Sequence, residues 1–286
     1  MAGRMRAKPF GWTGRPVPVI GQGTWKMGDA RGGRADEAAA LALGIELGMT
    51  HIDTAEMYGG GGAERVIAEV LRGRRREEIF LVSKVLPDNA TRAGTKRACE
   101  QSLRRLGTDH LDLYLLHWPG SVPIGETMAS MEELVAEGKI RHLGVSNFDV
   151  DELREAMAAL TRERLACNQV LYNLGQRGIE RDLLPLCADA GIAVVGYTPF
   201  GGWPRRGSDG LAALESVAAR HGASPQQVAL AFLTRQPHVF AIPKAGSPAH
   251  VRANAAAGDL TLGADDIAAI DAAFPAPRRR VPLATA

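Results

Sequence analysis

Cysteine is scarce. Cys99, Cys167 and Cys187 are the only three, widely spaced and never arranged as C-x-x-C. No disulfide framework can be built on that spacing, and thiols acting as small core hydrophobes in a reducing compartment are expected. An excess of one charge is missing too: 34 Lys and Arg stand against 32 Asp and Glu, a formal charge of +2 with both signs spread along the chain. Without a basic stripe interleaved with aromatics, no nucleic-acid surface is expected. The runs Arg74-Arg75-Arg76 and Arg278-Arg279-Arg280 read as solvated segments rather than binding patches. Long apolar runs are also absent: nothing approaches the roughly 18 residues that cross a membrane, and residues 1–14 are basic without a leader's apolar segment. These absences predict a cytoplasmic protein without membrane or nucleic-acid partners, a monomer or weak oligomer acting on a small molecule.

What is present is a repeat of short apolar runs. After a hairpin-like start around 16–19, strand candidates begin near Ile20, His51, Ile79, Leu111, His142, Cys167, Ala193 and Val239, at roughly the thirty-residue spacing of βαβ units. Several are continuously apolar, as strands buried on both faces are. Helical stripes lie between them: Val66, Ile67, Val70 and Leu71; Cys99, Leu103 and Leu106; Val150, Leu153, Met157 and Leu160. Gly48, Gly73, Gly107, Gly138 and Gly191 stand where those helices should stop. Further helices are predicted over 211–221 and 225–235, with terminal ones over Pro248–Ala257 and 265–274. No linker divides the chain. A single domain over residues 1–286 is expected, an α/β (β/α)8 barrel of the TIM type with a short N-terminal β-hairpin and extra C-terminal helices, or alternatively an open doubly wound sheet.

Chemistry gathers at the ends of these runs. His51-Ile52-Asp53 leads to Met57-Tyr58-Gly59, Ile79-Phe80-Leu81-Val82 ends at Ser83-Lys84, and Leu111 to Leu116 is followed by His117-Trp118-Pro119. Asp53, Tyr58, Lys84 and His117 therefore fall at or just past the carboxyl ends of successive strands, the catalytic rim of a parallel barrel. A phenol is a poor acid at neutral pH, with a pKa of about 10. A neighbouring ammonium, Lys84, would stabilise the phenolate, Asp53 would keep that lysine charged, and His117 would donate to a substrate carbonyl. Singly, each residue is as readily a turn, cap or packing residue. Together they read as a proton-delivery site that needs a hydride source. Gly59-Gly60-Gly61-Gly62 invites a dinucleotide fingerprint, but Glu64 stands where the third glycine of G-x-G-x-x-G belongs, so a flexible loop at the barrel mouth is the better reading.

Asp53-Thr54-Ala55-x-x-Tyr58-Gly59, Ser83-Lys84-Val85, Leu116-His117-Trp118-Pro119, the stretch from Gly138-Lys139-Ile140-Arg141 to Ser146-Asn147-Phe148, and Ile242-Pro243-Lys244 resemble motifs of the aldo-keto reductases, over residues 21–254. The short chain resembles the bacterial branch of that family. The resemblance implies NADPH-dependent reduction of aldehydes and ketones on a (β/α)8 barrel, with Asp53, Tyr58 as general acid, Lys84 and His117 as the catalytic four. It also implies a cofactor site built from Thr24, Trp25, Ser146, Asn147, Gln169, Tyr197, Phe200, Gly201, Lys244, Ser247 and Asn254. Ser146, Asn147 and Gln169 would bind the carboxamide, and Tyr197 would stack on the nicotinamide. Phe200 to Pro204 would form a glycine-hinged clasp. Lys244 followed by Ser247-Pro248 at a helix start suits a 2′-phosphate. Best-known NADPH-binding members carry Arg at the place of His250 and often Glu at the place of Ala253. An imidazole grips a dianion less well than a guanidinium fork, so a softened NADPH preference with weaker NADH use is expected.

Trp25, Met57, Trp118 and Trp203 are the candidate substrate walls, favouring small aldehydes and dicarbonyls such as methylglyoxal. Three other readings stay open at this stage: a Schiff-base lyase using a neutral Lys84, a hydrolase with a metal on His51, Asp53 and His117, and a cofactor-binding sensor or scaffold without turnover. The sequence favours a reductase with no metal.

Overall fold

Phe80–Val85 and Leu111–Leu116 are buried at every position. Such runs suit strands whose one face fills a barrel while the other meets helices. The computed structural model describes residues 5–29 and 33–285. The first four residues of the basic opening stretch and the last residue of the predicted 1–286 domain lie outside the described residues. The chain begins with a hairpin, β1 (Ala7–Pro9) antiparallel to β2 (Pro16–Pro18). Eight parallel strands follow: β3 (Gln22–Gly23), β4 (His51–Asp53), β5 (Phe80–Val85), β6 (Leu111–Leu116), β7 (Ile140–Ser146), β8 (Cys167–Leu171), β9 (Ala193–Tyr197) and β10 (Val239–Ala241).

The strands pair in sequential order from β3 to β10. The ends meet where Ile20 bridges Ala241 in parallel and the Gly21 N–H donates to the Ala241 carbonyl at 2.8 Å. That closure excludes the open doubly wound sheet and makes the fold the (β/α)8 barrel.

Local sequence chemistry fixes the helix starts. Asp149 accepts the Asp151 and Glu152 N–H groups, and Glu152 returns its carboxylate to the Asp149 N–H at 2.9 Å, opening α5 (Val150–Ala159). Ser224 and Gln227 form the same box ahead of α8 (Pro225–Leu233), with proline at its first position. Gly73, Gly107, Gly138 and Gly191 all take positive φ just past helix ends.

Three helices are marked in the sequence by the glycines at which they stop, Gly48, Gly138 and Gly191, and not by an apolar stripe: α1 (Arg34–Glu46), α4 (Ile124–Ala136) and α6 (Leu183–Ala190). In α1 the segment Ala38-Ala39-Ala40 dilutes the apolar stripe. The remaining helices are α2 (Gly62–Leu71), α3 (Arg92–Leu106), α7 (Asp209–His221), α9 (Pro248–Ala257) and α10 (Ala264–Ala273).

Inside the barrel Val82, Leu113, Leu115, Val195 and Phe240 form a buried cluster. The hairpin plugs its amino-terminal end. Phe10 is fully buried there, with ring centroids 4.8 Å from Phe80 and 5.0 Å from Phe240. Below it Asp112 is buried, accepts the Leu81 N–H at 2.9 Å, and pairs with Arg15 and with Arg76, the latter at 2.7 Å. The solvated reading of the first arginine run therefore fails at Arg76, which also donates to the Ile79 and His110 carbonyls at 2.9 Å. A buried carboxylate needs such partners, and tertiary folding brings Arg76 to it. Arg280 of the second run pairs with Asp182 at 3.1 Å and stays half exposed. With the amino-terminal end sealed, the carboxyl ends of the strands are the open face of the barrel.

Candidate active site

β4, β5 and β6 deliver the four rim residues to one place. Asp53 ends β4, Tyr58 opens the single-turn helix Tyr58–Gly61, Lys84 is the fifth residue of β5, and His117 follows β6. Of the glycines after Tyr58, Gly59, Gly61 and Gly62 are closely packed and Gly60 is exposed. Gly59, Gly60 and Gly61 hold positive φ, and a Cβ on Gly62 would fall 2.3 Å from the Gly28 carbonyl oxygen. They let the chain turn sharply under the 27–28 loop, which fixes where Tyr58 stands.

Lys84 is fully buried and uses three directions. Its Nζ donates to Asp53 Oδ1 at 2.6 Å, to the Thr54 carbonyl at 2.8 Å and to the Tyr58 hydroxyl at 3.2 Å. Burial opposes the ammonium, but Asp53 and then Tyr58 outweigh it and hold Lys84 above its usual pKa. The lysine is thus a fixed cation with its donors engaged, which a Schiff-base nucleophile cannot be. For Tyr58 burial is the largest influence and pushes the phenol up, with Lys84 pulling the other way and Asp53 adding to the rise. The expectation that Lys84 brings Tyr58 towards neutral pH is corrected: the phenol keeps its proton, and the ammonium is poised to meet charge that forms when it is given up.

His117 is neutral. Burial first, then the charge of Lys84, lowers it to about 2. Its Nδ1 is enclosed without a hydrogen-bond partner, leaving Nε2 as the ring nitrogen with access to the mouth. His51, read alternatively as a metal ligand, packs edge-on to Phe80 at 5.4 Å and to Phe10 at 6.2 Å, on the plugged side of the barrel, and burial lowers it to about 3. Among the described residues no group of three or more His, Cys, Asp and Glu side chains is placed to hold a metal ion.

Both imidazoles fold neutral and carry an ordinary pKa of 6.5 when unfolded. Their stabilisation is therefore complete above pH 6.5 and is lost as pH falls, because the unfolded chain takes up protons that the fold refuses. By pH 5.5 each is expected to cost about 1 kcal/mol. Urea midpoints at pH 7.5 and 5.5 measure the loss, and imidazole resonances of both residues should stay unshifted to pH 5.5. Titration of either between pH 6 and 7 in the folded protein would remove this account.

The mouth above these residues is a cavity of about 580 Å³. Trp25, half exposed, stands edge-on to Tyr58 at 5.2 Å, and Trp118 lies 4.7 Å from His117, so aromatic faces flank the phenol and the imidazole. Met57 also lines the cavity. Trp203 does not: it packs 5.9 Å from Phe200 and onto the main hydrophobic core, away from the lining.

On the opposite side Ser146, Asn147, Gln169 and Tyr197 line the cavity together. Asn147 holds φ +60, a conformation asparagine tolerates. Its amide donates to the His117 carbonyl at 3.1 Å and accepts the Tyr197 hydroxyl at 2.7 Å. Gln169 donates to Asp53 Oδ2 at 2.7 Å. Thr24 anchors the first strand by donating its hydroxyl to the Asp53 carbonyl at 2.9 Å. Phe200, Gly201 and Lys244 complete the wall.

Ser247 and Asn254 lie beyond that cavity. Ser247 caps α9 by accepting the His250 N–H at 3.4 Å, and Asn254 is buried within the helix. Thr198, Pro199, Ile242 and Pro243 also line the mouth and were not singled out. Thr198 and Pro199 carry no chemical signature in sequence, whereas Ile242 and Pro243 sit in the motif that marked Lys244.

A profile of the Aldo/keto reductase family matches residues 19–274. Methylglyoxal reductase YeaE of Escherichia coli (strain K12) is 49% identical over 269 residues, covering 93% of this chain and 94% of that protein. The NADH-specific methylglyoxal reductase of the same organism is 30% identical, over 92% of this chain and 96% of its own. Among solved structures, an aldo/keto reductase from Klebsiella pneumoniae in complex with NADP and acetate superposes with a TM-score of 0.90 at 46% identity, covering 99% of this chain and 100% of that one.

Proposed function

This chain belongs to the aldo/keto reductase family, and from that membership we propose that it reduces small aldehydes and dicarbonyls of the methylglyoxal type with NADPH, using Tyr58 as the acid. The residues at the mouth fit a nicotinamide: a hydroxyl on Ser146 and amides on Asn147 and Gln169 stand beside the ring of Tyr197. Lys244 and the capped start of α9 supply positive potential for the far phosphate. When bound, NADPH supplies a hydride to the carbonyl carbon. The chain's own task is the oxygen. His117 donates a hydrogen bond that polarises the carbonyl, and the Tyr58 hydroxyl gives its proton to the oxygen as negative charge builds there. Lys84, held as a cation by Asp53, stabilises the phenolate left behind, which takes a proton back from solvent before the next turnover.

The observation that carries this reading is the arrangement of Lys84: of its three hydrogen bonds, two anchor it and the third ends on the Tyr58 phenol at the cavity wall. Aromatic walls flank Tyr58 and His117, and Lys244, the cationic side chain among the described residues of the lining, follows β10 and not the strands that carry them, so uncharged carbonyl compounds are favoured over oxo-acids. The test is NADPH oxidation against methylglyoxal, aromatic aldehydes, keto-esters and sugars, repeated with NADH. Turnover of none of them would overturn the proposal.

His250 sets the expected cofactor preference. It is exposed at the first turn of α9, where a guanidinium would grip a 2′-phosphate in two places. NADPH should be preferred, and His250→Arg should widen the NADPH:NADH ratio of kcat/KM by about tenfold, mainly through KM. Equal kcat/KM for the two cofactors in the parent enzyme would contradict this.

A further inference from the structure

We propose that Gln169 is a positioning residue for the acid: its amide nitrogen holds the Asp53 carboxylate in place against Lys84 from across the barrel, while the same side chain lines the mouth. This rests on the reductase reading above and adds a residue that governs proton delivery as well as binding.

Asp53 is buried and has two oxygens to satisfy. Oδ1 takes Lys84 at 2.6 Å, and Oδ2 takes Gln169 Nε2 at 2.7 Å, reaching across the barrel from β8 to β4. Among the described residues no other side chain donates to Oδ2. An ionised carboxylate accepts only, so the amide has one admissible orientation: turned over, it would set oxygen against oxygen. Gln169 lines the mouth as well. Its acceptor end is therefore the one available there.

The same bond protects the acid. If Oδ2 loses its donor, the buried carboxylate is no longer held against Lys84, and the ammonium is less firmly placed to stabilise the Tyr58 phenolate. The other titratable groups around the pair are Tyr58 beside Lys84, Cys167 on the inner face of β8, and His51 and His117, which feel Lys84.

Gln169→Leu and Gln169→Glu test this together, each measured in two ways. In the cofactor-free protein at fixed pH, the NMR resonances of the Asp53 carboxyl carbon and the Lys84 ammonium should both move in Q169L relative to the parent, because the carboxylate loses its second donor. In turnover, Q169L should lose about ten- to a hundredfold in kcat with its acid limb moved to higher pH, while KM for the carbonyl substrate changes little. Q169E sets a carboxyl against Asp53. It should retain activity while the new carboxyl is protonated and can donate, and lose it as pH rises and that proton leaves. Unchanged Asp53 and Lys84 resonances and an unchanged kcat profile in Q169L, with only NADPH binding weakened, would overturn the positioning role and leave Gln169 a cofactor contact. If Q169L does not fold, a parent-like pH profile in Q169E overturns it equally. The NMR comparison needs no turnover, so it separates failure of this inference from failure of the reductase mechanism.

Discussion

Tyr58→Phe is expected to lower kcat for methylglyoxal by about 10²–10⁴-fold while NADPH still binds. The substitution removes one oxygen and keeps the ring. Edge contacts of that ring with Trp25 at 5.2 Å and with His117 at 5.8 Å survive, so the mouth keeps its shape. Lys84 loses its bond to the hydroxyl and retains those to Asp53 and the Thr54 carbonyl. What disappears is the proton. The hydroxyl of Tyr197 also lines the mouth but donates to Asn147 at 2.7 Å, and His117 is neutral down to about pH 2 and cannot act as an imidazolium acid at working pH. Stopped-flow or steady-state turnover measures the loss, and quenching of tryptophan fluorescence on NADPH addition reports binding. A Tyr58→Phe enzyme within a few-fold of the parent rate would remove Tyr58 from the mechanism.

Lys84→Met should abolish measurable turnover and cost about 3–5 kcal/mol of stability. Asp53 would then be a buried carboxylate facing a thioether, with only Gln169 as a side-chain donor. The informative companion is the double variant Asp53→Asn with Lys84→Met. It removes both charges and leaves an amide that still accepts from Gln169. Most of the lost stability should return, because replacing a buried pair costs far less than orphaning one member, and turnover should stay absent. Urea unfolding at fixed pH compares the three proteins. A double variant as unstable as Lys84→Met would show that the cost lies in packing around the lysine stem and not in the uncompensated charge.

These expectations draw on different depths of the chain. Strand positions were readable because β5 and β6 are continuously apolar and because strand ends coincide with Asp53, Lys84 and His117. Helix starts at Asp149, Ser224 and Ser247 were readable or recoverable because an N-cap is a local device spanning three or four residues. Alanine-rich α1 was not, since its apolar stripe is too dilute to distinguish from its exposed side. The role of Arg76 was illegible for another reason. Its partner Asp112 is thirty-six positions away, and nothing in either neighbourhood marks them as a pair. Trp203 shows the converse. It belongs to a compositionally plausible wall, yet the loop after β9 turns it onto the core.

The amino-acid sequence alone determined which elements form, their alternation, and the set of chemical groups gathered at the strand ends, because period, capping and strand termination are properties of neighbouring residues. The tertiary structure decided what those groups do to one another. Only closure of the sheet sets Gln169 of β8 against Asp53 of β4, and only burial reverses the direction of the Tyr58 shift by removing the water that would have shared its charge. Hydrogen-bond partners across a barrel and the dielectric around a phenol depend on distances between residues far apart in sequence, and those distances exist only once the chain has folded.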